Sequence, residues 1–371
     1  MSRDWVSLMK ELGRDFAQRA GAHDQDASFV ADNYARLKEQ GLTSAGVPEE
    51  LGGGGASHGE LCAMIRELAR HCGSTGLAFS MHTHIVATMA YLWRAGNKGP
   101  ETLLRRVAAE KLVLVSTGGA DWLAGSGRME KVDGGWKLTG RKIFCSGVPA
   151  GDLLMTCGIH DDPQNGPTVY HFPLPLNAAG VKVLDTWHTL GMRGTGSHDV
   201  TLEDVFLPDA STHGVKRPAG KWHPSVHALT LAVLPIVFSA YMGVAESARE
   251  HALRLAARKK DDPGLPYLVG EMENQLIAAQ IALDSMMGLT ASAKPGPETT
   301  SAMLARRTLM AAACLRAVDK AMEVAGGGAF YESAGLERCF RDIQGARYHP
   351  IQEKPQTRLT GRLLLGLDID G

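Results

Sequence analysis

The chain has no C-x-x-C pair and no Cys/His spacing of a zinc site, although it carries six cysteines. No metal site is expected, and reduced thiols in a cytoplasm are the simplest state. An excess of charge of one sign is also missing. The basic residues number 39 and the acidic residues 40, for a net charge of −1. Bulk electrostatics therefore favour neither nucleic acid nor an anionic membrane, and neither is expected as a partner. The opening Met1-Ser2-Arg3-Asp4-Trp5 lacks a basic segment leading into a long apolar run, so no signal peptide is expected. The longest apolar stretch, Leu229 to Val237, is interrupted by Thr230 and Pro235 and is too short to span a bilayer. Gly52 to Gly55 has no preceding strand and no following Lys-Ser/Thr, which excludes a triphosphate loop. Gly191 to Gly196 leads into a strand rather than a helix, which excludes a Rossmann turn.

What remains is ordinary for a globular enzyme: 371 residues, 44% hydrophobic and 21% charged. The hydrophobic period changes twice. Up to residue 110 it is helical, with Trp5, Leu8, Met9, Leu12 and Phe16 on one face. Phe29 to Leu37 continues the pattern to Gly41, and helices fit 58–72 and 74–95. From 111 to 215 it alternates. Leu112 to Ser116, a hairpin turning at Asp133-Gly134-Gly135, and runs at 153–156, 168–172, 181–184 and 200–202 read as strands. From 216 to 371 it is helical again, with candidates at 229–260, 266–293, 299–325, 335–345 and 357–368. The expected domains are 1–110, all-α; 111–215, β; and 216–371, a helical bundle.

Five segments resemble the acyl-CoA dehydrogenase superfamily, spread over nearly the whole chain. Val47 to Gly55 is similar to its Pro-Glu-x-x-Gly-Gly loop. Trp136 to Gly147 is similar to the hairpin that packs on its flavin. Leu190 to Ser197, running on to Pro208, is similar to its substrate-side strand. Glu323 to Gly328 is similar to its glycine turn, and Arg341-Asp342 to its last anchor. The resemblance implies an α+β fold: an N-terminal helical domain, a small antiparallel β-barrel domain and a C-terminal helical bundle. It also implies a homotetramer and FAD, with FMN the alternative. By resemblance the cofactor contacts are Leu114, Ser116, Thr117, Phe144, Ser146, Lys259, Gly326 and Gly327, and the substrate contacts Arg193, Thr195 and Ser197. Phe144 would be the aromatic wall for the flavin ring; an aromatic there would equally serve as hairpin core.

Several family residues are absent. The usual catalytic glutamate, about nine residues after Arg341 by resemblance, is Pro350. The family's second base position is Val233, and the neighbouring arginine that helps hold CoA is Leu234. Arg258 to Pro263 keeps positive charge but lacks the family's Phe-Gly, and Glu323 replaces a glutamine beside the FAD. A carboxylate there disfavours a pyrophosphate unless something neutralises it. The remaining candidate catalytic groups are His349, Glu353, His84 and His82. Only one of His82 and His84 can face a pocket, because residues two apart on a helix diverge. Flavin monooxygenases of this fold, such as dibenzothiophene monooxygenase, are similar at both histidine positions.

The main expectation is a flavin-dependent oxidoreductase acting on an acyl thioester, CH–CH oxidation with a non-standard base and electron-transfer flavoprotein as partner. The alternative is a two-component monooxygenase fed by a flavin reductase, with a C4a- or N5-peroxyflavin held near His349. A second alternative is a non-catalytic flavoprotein.

Overall fold

The computed structural model describes residues 3–212 and 214–371. Helices α1 (Trp5–Gln25), α2 (Ala31–Glu39), α3 (His58–His71), α4 (Gly73–Arg94) and α5 (Glu101–Glu110) come first. Asp4 caps α1 by accepting the Ser7 amide. Ser57 and Glu60 close a reciprocal capping box on α3. The sequence pattern did not mark α5. It buries only Leu104 and Val107, and its outer face is held by Arg105–Glu101 and Arg106–Glu110 pairs one turn apart. Such a helix has little apolar stripe to read.

Eight strands follow: β1 (Leu114–Ser116), β2 (Arg128–Val132), β3 (Gly135–Lys142), β4 (Leu153–Asp162), β5 (Gly166–Pro175), β6 (Val181–Val183), β7 (Val200–Pro208) and β8 (Lys216–Pro218). They form one sheet in the order β6-β7-β3-β2-β4-β5-β8, with β1 on β4. The sheet is rich in antiparallel pairs, with parallel pairings where β1 and β2 meet β4. The hairpin between β2 and β3 turns at Gly134, whose φ of 72° suits glycine.

The last helices are α6 (Pro224–Ala256), α7 (Leu265–Ser292), α8 (Pro297–Ala325), α9 (Leu336–Ile343) and α10 (Glu353–Leu364). Helix α6 is long and apolar enough to cross a membrane, but 94% of that apolar stretch is buried inside the fold. It is the axis of the helical core, packed on α3, α4, α7 and α8. Pro235 sits inside it, and Ser239 donates its hydroxyl to the Pro235 carbonyl at 2.8 Å. Gly243 lets α6 touch the backbone of α3: a Cβ there would stand 2.2 Å from the Arg66 carbonyl oxygen.

Candidate functional site

A cavity of about 410 Å³ opens where the helical core meets the sheet, a size that suits a small ligand. Helix α4 contributes Leu77, Met81 and His84. Helix α6 contributes Val233, Leu234, Val237 and Tyr241, four residues at helical spacing on one face. The loop after β1, the loop after β3 and the segment from Trp187 to Ser197 close the sheet side. The chain from Arg341 to Pro350 closes the end. Pro350 packs so tightly on Gly119 that a Cβ at 119 would lie 2.7 Å from it.

Phe144 stands in this cavity with 52% of its surface exposed and a φ of 54°. A positive φ is uncommon for phenylalanine and projects the ring out of the hairpin rather than into its core. The backbone is pinned on both sides: Gly118 donates to the Ile143 carbonyl at 2.9 Å and Cys145 to that of His198 at 3.2 Å. Trp187 meets the ring edge-on at 5.8 Å. An exposed flat aromatic in a concave, largely apolar site fits a planar heterocycle stacked on it.

Hydroxyls edge this wall. Ser116, Thr117 and Ser146 all line the cavity. Ser197 donates to Ser146 at 2.7 Å, and Thr195 lies 2.7 Å from Ser197 and donates to the Met192 carbonyl at 2.9 Å. Ser197 thus reaches the cavity and Thr195 supports it from behind. Arg193 is directed away, toward the Gln25 carbonyl.

Of the candidate histidines, two face the cavity and one does not. His82 accepts the Leu114 amide on Nδ1 at 3.0 Å and donates from Nε2 to the Thr43 carbonyl at 2.8 Å. Both nitrogens are spent, one on joining α4 to β1 and the other on the turn Leu42–Ser44, so His82 is a structural tie. Leu114 is buried in that junction and does not line the cavity. His84 points the other way, and its buried Nδ1 has no hydrogen-bond partner. His349 Nδ1 lies 2.6 Å from the Tyr241 hydroxyl and 3.4 Å from the Gly345 carbonyl. Burial pushes the Tyr241 phenol well above its ordinary range, so it keeps its proton and donates it to Nδ1. That fixes the tautomer with hydrogen on Nε2, the nitrogen left for the cavity.

Desolvation lowers His84 to about 3, helped by His82 and His349 nearby. It lowers His349 to about 4, helped by Arg307. Both imidazoles are neutral near pH 7. Burial likewise holds His82 and His171 at about 4. These four groups take up protons near 6.5 when unfolded but not when folded. The stability they lend is complete above that pH and is lost as pH falls toward 4. Asp342 works oppositely, since burial raises its carboxyl from 3.8 to about 6. Its share is complete below its unfolded value and is lost as pH rises through its folded one. With four histidines set against one aspartate, the thermal midpoint is expected to drop between pH 6.5 and pH 4. Calorimetry showing a midpoint that climbs over that interval would contradict the assignment.

No aspartate or glutamate lines the cavity among the described residues; Arg341 is its one charged side chain other than the neutral histidines. Arg341 is committed to Asp24, Glu337 and the Leu190 carbonyl. Asp342 accepts the Met192 amide. The Arg-Asp pair thus clamps the Leu190–Met192 rim onto α9. Glu353 begins α10, is exposed, and lies outside the cavity. Lys259, Gly326 and Gly327 also lie outside it. Lys259 Nζ and Gly326 come together, 3.0 Å separating the ammonium from where a Cβ would be. Glu323 pairs with Lys320 at 2.9 Å, a cation it shares with Glu271 at 2.8 Å.

Tyr241 and the pair Asp121–Lys142 escaped the sequence reading. Tyr241 was within reach, being two further turns along the face already marked by Val233. Asp121 and Lys142 come together only through the sheet.

Two family models match: the acyl-CoA dehydrogenase N-terminal domain over residues 7–109 and its C-terminal domain over 236–353. YdbM of Bacillus subtilis (strain 168), which carries an acyl-CoA dehydrogenase name, is 27% identical, covering 94% of this chain and 93% of its own. Dibenzothiophene monooxygenase of Mycolicibacterium goodii is 28% identical over 95% and 91%. The structure of KijD3 in complex with FMN and dTDP-3-amino-2,3,6-trideoxy-4-keto-3-methyl-D-glucose is 25% identical, with a TM-score of 0.89 over 100% of this chain and 96% of that one. With both terminal helical domains matched and the helix–sheet–helix order continuous between them, the chain belongs to the acyl-CoA dehydrogenase superfamily.

Proposed function

We propose that this flavoprotein-family oxidoreductase is the oxygenase of a two-component monooxygenase, using FMN reduced by a separate flavin reductase. The observation that carries the reading is a cavity holding two neutral imidazoles and no carboxylate. α-Proton abstraction from an acyl thioester needs a base matched to the working pH. His349, lowered to about 4, is a poor one, and Glu353 is outside the cavity.

A reduced flavin supplies the electrons that activate dioxygen. Phe144 would stack on the ring, with Ser116, Thr117 and Ser146 along its polar edge. The Nε2–H of His349, set by Tyr241, would donate a hydrogen bond to a negatively charged oxygen facing it. His84 Nδ1 offers a second polar atom with no competing partner in the protein. The wall of Leu77, Met81, Val233, Leu234 and Val237 excludes water and suits a substrate with an apolar body. The FMN in the KijD3 complex supports FMN over FAD, as does the absence of the family's Phe-Gly after Arg258. Exposed Tyr267, Ile277 and Ile281 on α7, with Phe330, Leu364 and Leu365, support a homo-oligomer, taken as the tetramer. All six cysteines are free and buried, which suits the cytoplasm.

Thioester dehydrogenation is the second reading, supported by the full-length likeness to YdbM. One pair of experiments separates the two. Anaerobic addition of short-, medium- and long-chain acyl-CoAs to the flavin-loaded protein is expected to leave the flavin colour unchanged. Chemically reduced FMN, oxygen-18 gas and the probes dibenzothiophene and indole are expected to yield labelled product. Bleaching by any acyl-CoA, with no label in either probe, overturns the monooxygenase reading.

A further inference from the structure

Behind the cavity floor lies a buried ion pair that no step above uses. Lys142, at the end of β3, is 1% exposed and Asp121 is 7% exposed. Lys142 Nζ donates to Asp121 Oδ2 at 3.1 Å, and to the Ser126 carbonyl and hydroxyl at 2.8 Å each. Those contacts occupy its three protons, with the Cys157 sulfur a longer 3.7 Å away. Asp121 Oδ1 accepts the Ser126 hydroxyl at 2.6 Å, and Oδ2 accepts the Thr117 hydroxyl at 2.5 Å. Arg217, 2% exposed, braces the same loop by donating to the Asp121 and Leu123 carbonyls at 2.7 and 2.6 Å. Burying two charges is expensive, and an apolar pair would fill this space at less cost.

The direction of the Thr117 hydrogen bond follows from counting protons. Lys142 can only donate, so Asp121 meets it as a carboxylate, which can only accept. Thr117 must then give its single hydroxyl proton to Asp121. Thr117 lines the cavity, and with its one proton given to Asp121 its oxygen keeps only lone pairs for any further partner.

We infer that the Asp121–Lys142 pair fixes Thr117 as a hydrogen-bond acceptor toward the cavity, and that the site thereby selects reduced over oxidised flavin. The inference rests on the proposed function, which sets the flavin's polar edge at Thr117. Oxidised flavin carries a bare acceptor nitrogen, N5, on that edge, and two acceptors face to face repel. Reduced flavin carries N5–H, which Thr117 can receive. Asp121 and Lys142 are positioning residues acting through Thr117. For an oxygenase supplied by a separate reductase, such selectivity takes up the form that reacts and releases the spent one.

The test is affinity, not turnover. Wild-type protein and the variants Thr117→Val, Thr117→Ser and Asp121→Asn are titrated anaerobically with FMN and with dithionite-reduced FMN. Wild type is expected to prefer the reduced form. Thr117→Val, which keeps the shape and removes the oxygen, lowers the reduced-to-oxidised preference about tenfold, a shift of about 30 mV in the bound two-electron potential. Thr117→Ser retains the preference. Asp121→Asn sets an amide N–H beside Thr117, frees its proton for the cavity and lowers the preference too. Equal weakening of both forms by Thr117→Val, or an unchanged ratio, overturns the inference and leaves the oxygenase reading standing. Binding of neither form by wild type overturns both.

Discussion

Replacing His349 with phenylalanine is expected to lower oxygen transfer to a probe substrate about a hundredfold, on the order of what one preorganised hydrogen-bond donor to a developing oxyanion contributes. Flavin uptake should stay near wild type, since the ring is of similar size, while the thermal midpoint should fall modestly because the buried Tyr241 hydroxyl loses its acceptor. Tyr241→Phe should cost less. It removes the donor at 2.6 Å, and the imidazole is then free to hold its proton on Nδ1, where the Gly345 carbonyl waits at 3.4 Å. A fraction of the population then shows the cavity a bare nitrogen. Rapid-mixing experiments with reduced flavin and oxygen, read as labelled product per flavin oxidised, measure this coupling. The wild-type rate should show no inflection near pH 6.5, because burial has moved His349 to about 4. A His349→Phe variant coupling as well as wild type would remove this residue from the chemistry.

The second large effect is on the fold. Gly243→Val places two methyl groups where a single Cβ would already stand 2.2 Å from the Arg66 carbonyl and 3.0 Å from the Arg70 amide. Both are backbone atoms of α3 and cannot rotate away. The helices must separate, and with them the Arg66–Glu246 pair at 2.5 Å. Overpacking of this kind costs about 3 kcal/mol, or a fall in thermal midpoint on the order of 4 °C for a chain of this size. Because α6 also carries Val233, Val237 and Tyr241 into the cavity, flavin affinity should fall together with stability. Calorimetry and flavin titration of the same preparation would check both, and a variant as stable as wild type would mean that the helices have room to part.

Helix α6 shows where sequence reading succeeds and where it stops. Its apolar length and the Val233 and Leu234 substitutions were legible, because helical period and family spacing are local properties of the chain; that Gly243 lets α6 touch α3 was not. That Tyr241 hands its proton to His349, 108 residues later, was not, because it depends on how α6 and the segment after α9 approach each other. The same holds for α4. Sequence spacing dictated that His82 and His84 must diverge; only packing of α4 on β1 decided that His82 is the structural one. In the sheet, most strand positions followed from alternation, but β8, which lies past the expected end at 215, and the parallel meetings of β1 and β2 with β4 did not, since strand pairing is a long-range choice. Phe144 could have been a core residue by composition; its positive φ and exposure are what place its ring at the cavity surface.

By itself the sequence determined the superfamily, the alternation of helix, sheet and helix, and the loss of both carboxylate positions to Pro350 and Val233. These are properties of residue type at a given spacing. The tertiary structure decided that no other carboxylate among the described residues lines the cavity, that two histidines lowered by burial face it, and that a buried lysine and aspartate engage the Thr117 hydroxyl. Those outcomes depend on desolvation and on hydrogen bonds between distant segments, which exist only once the chain has closed around them.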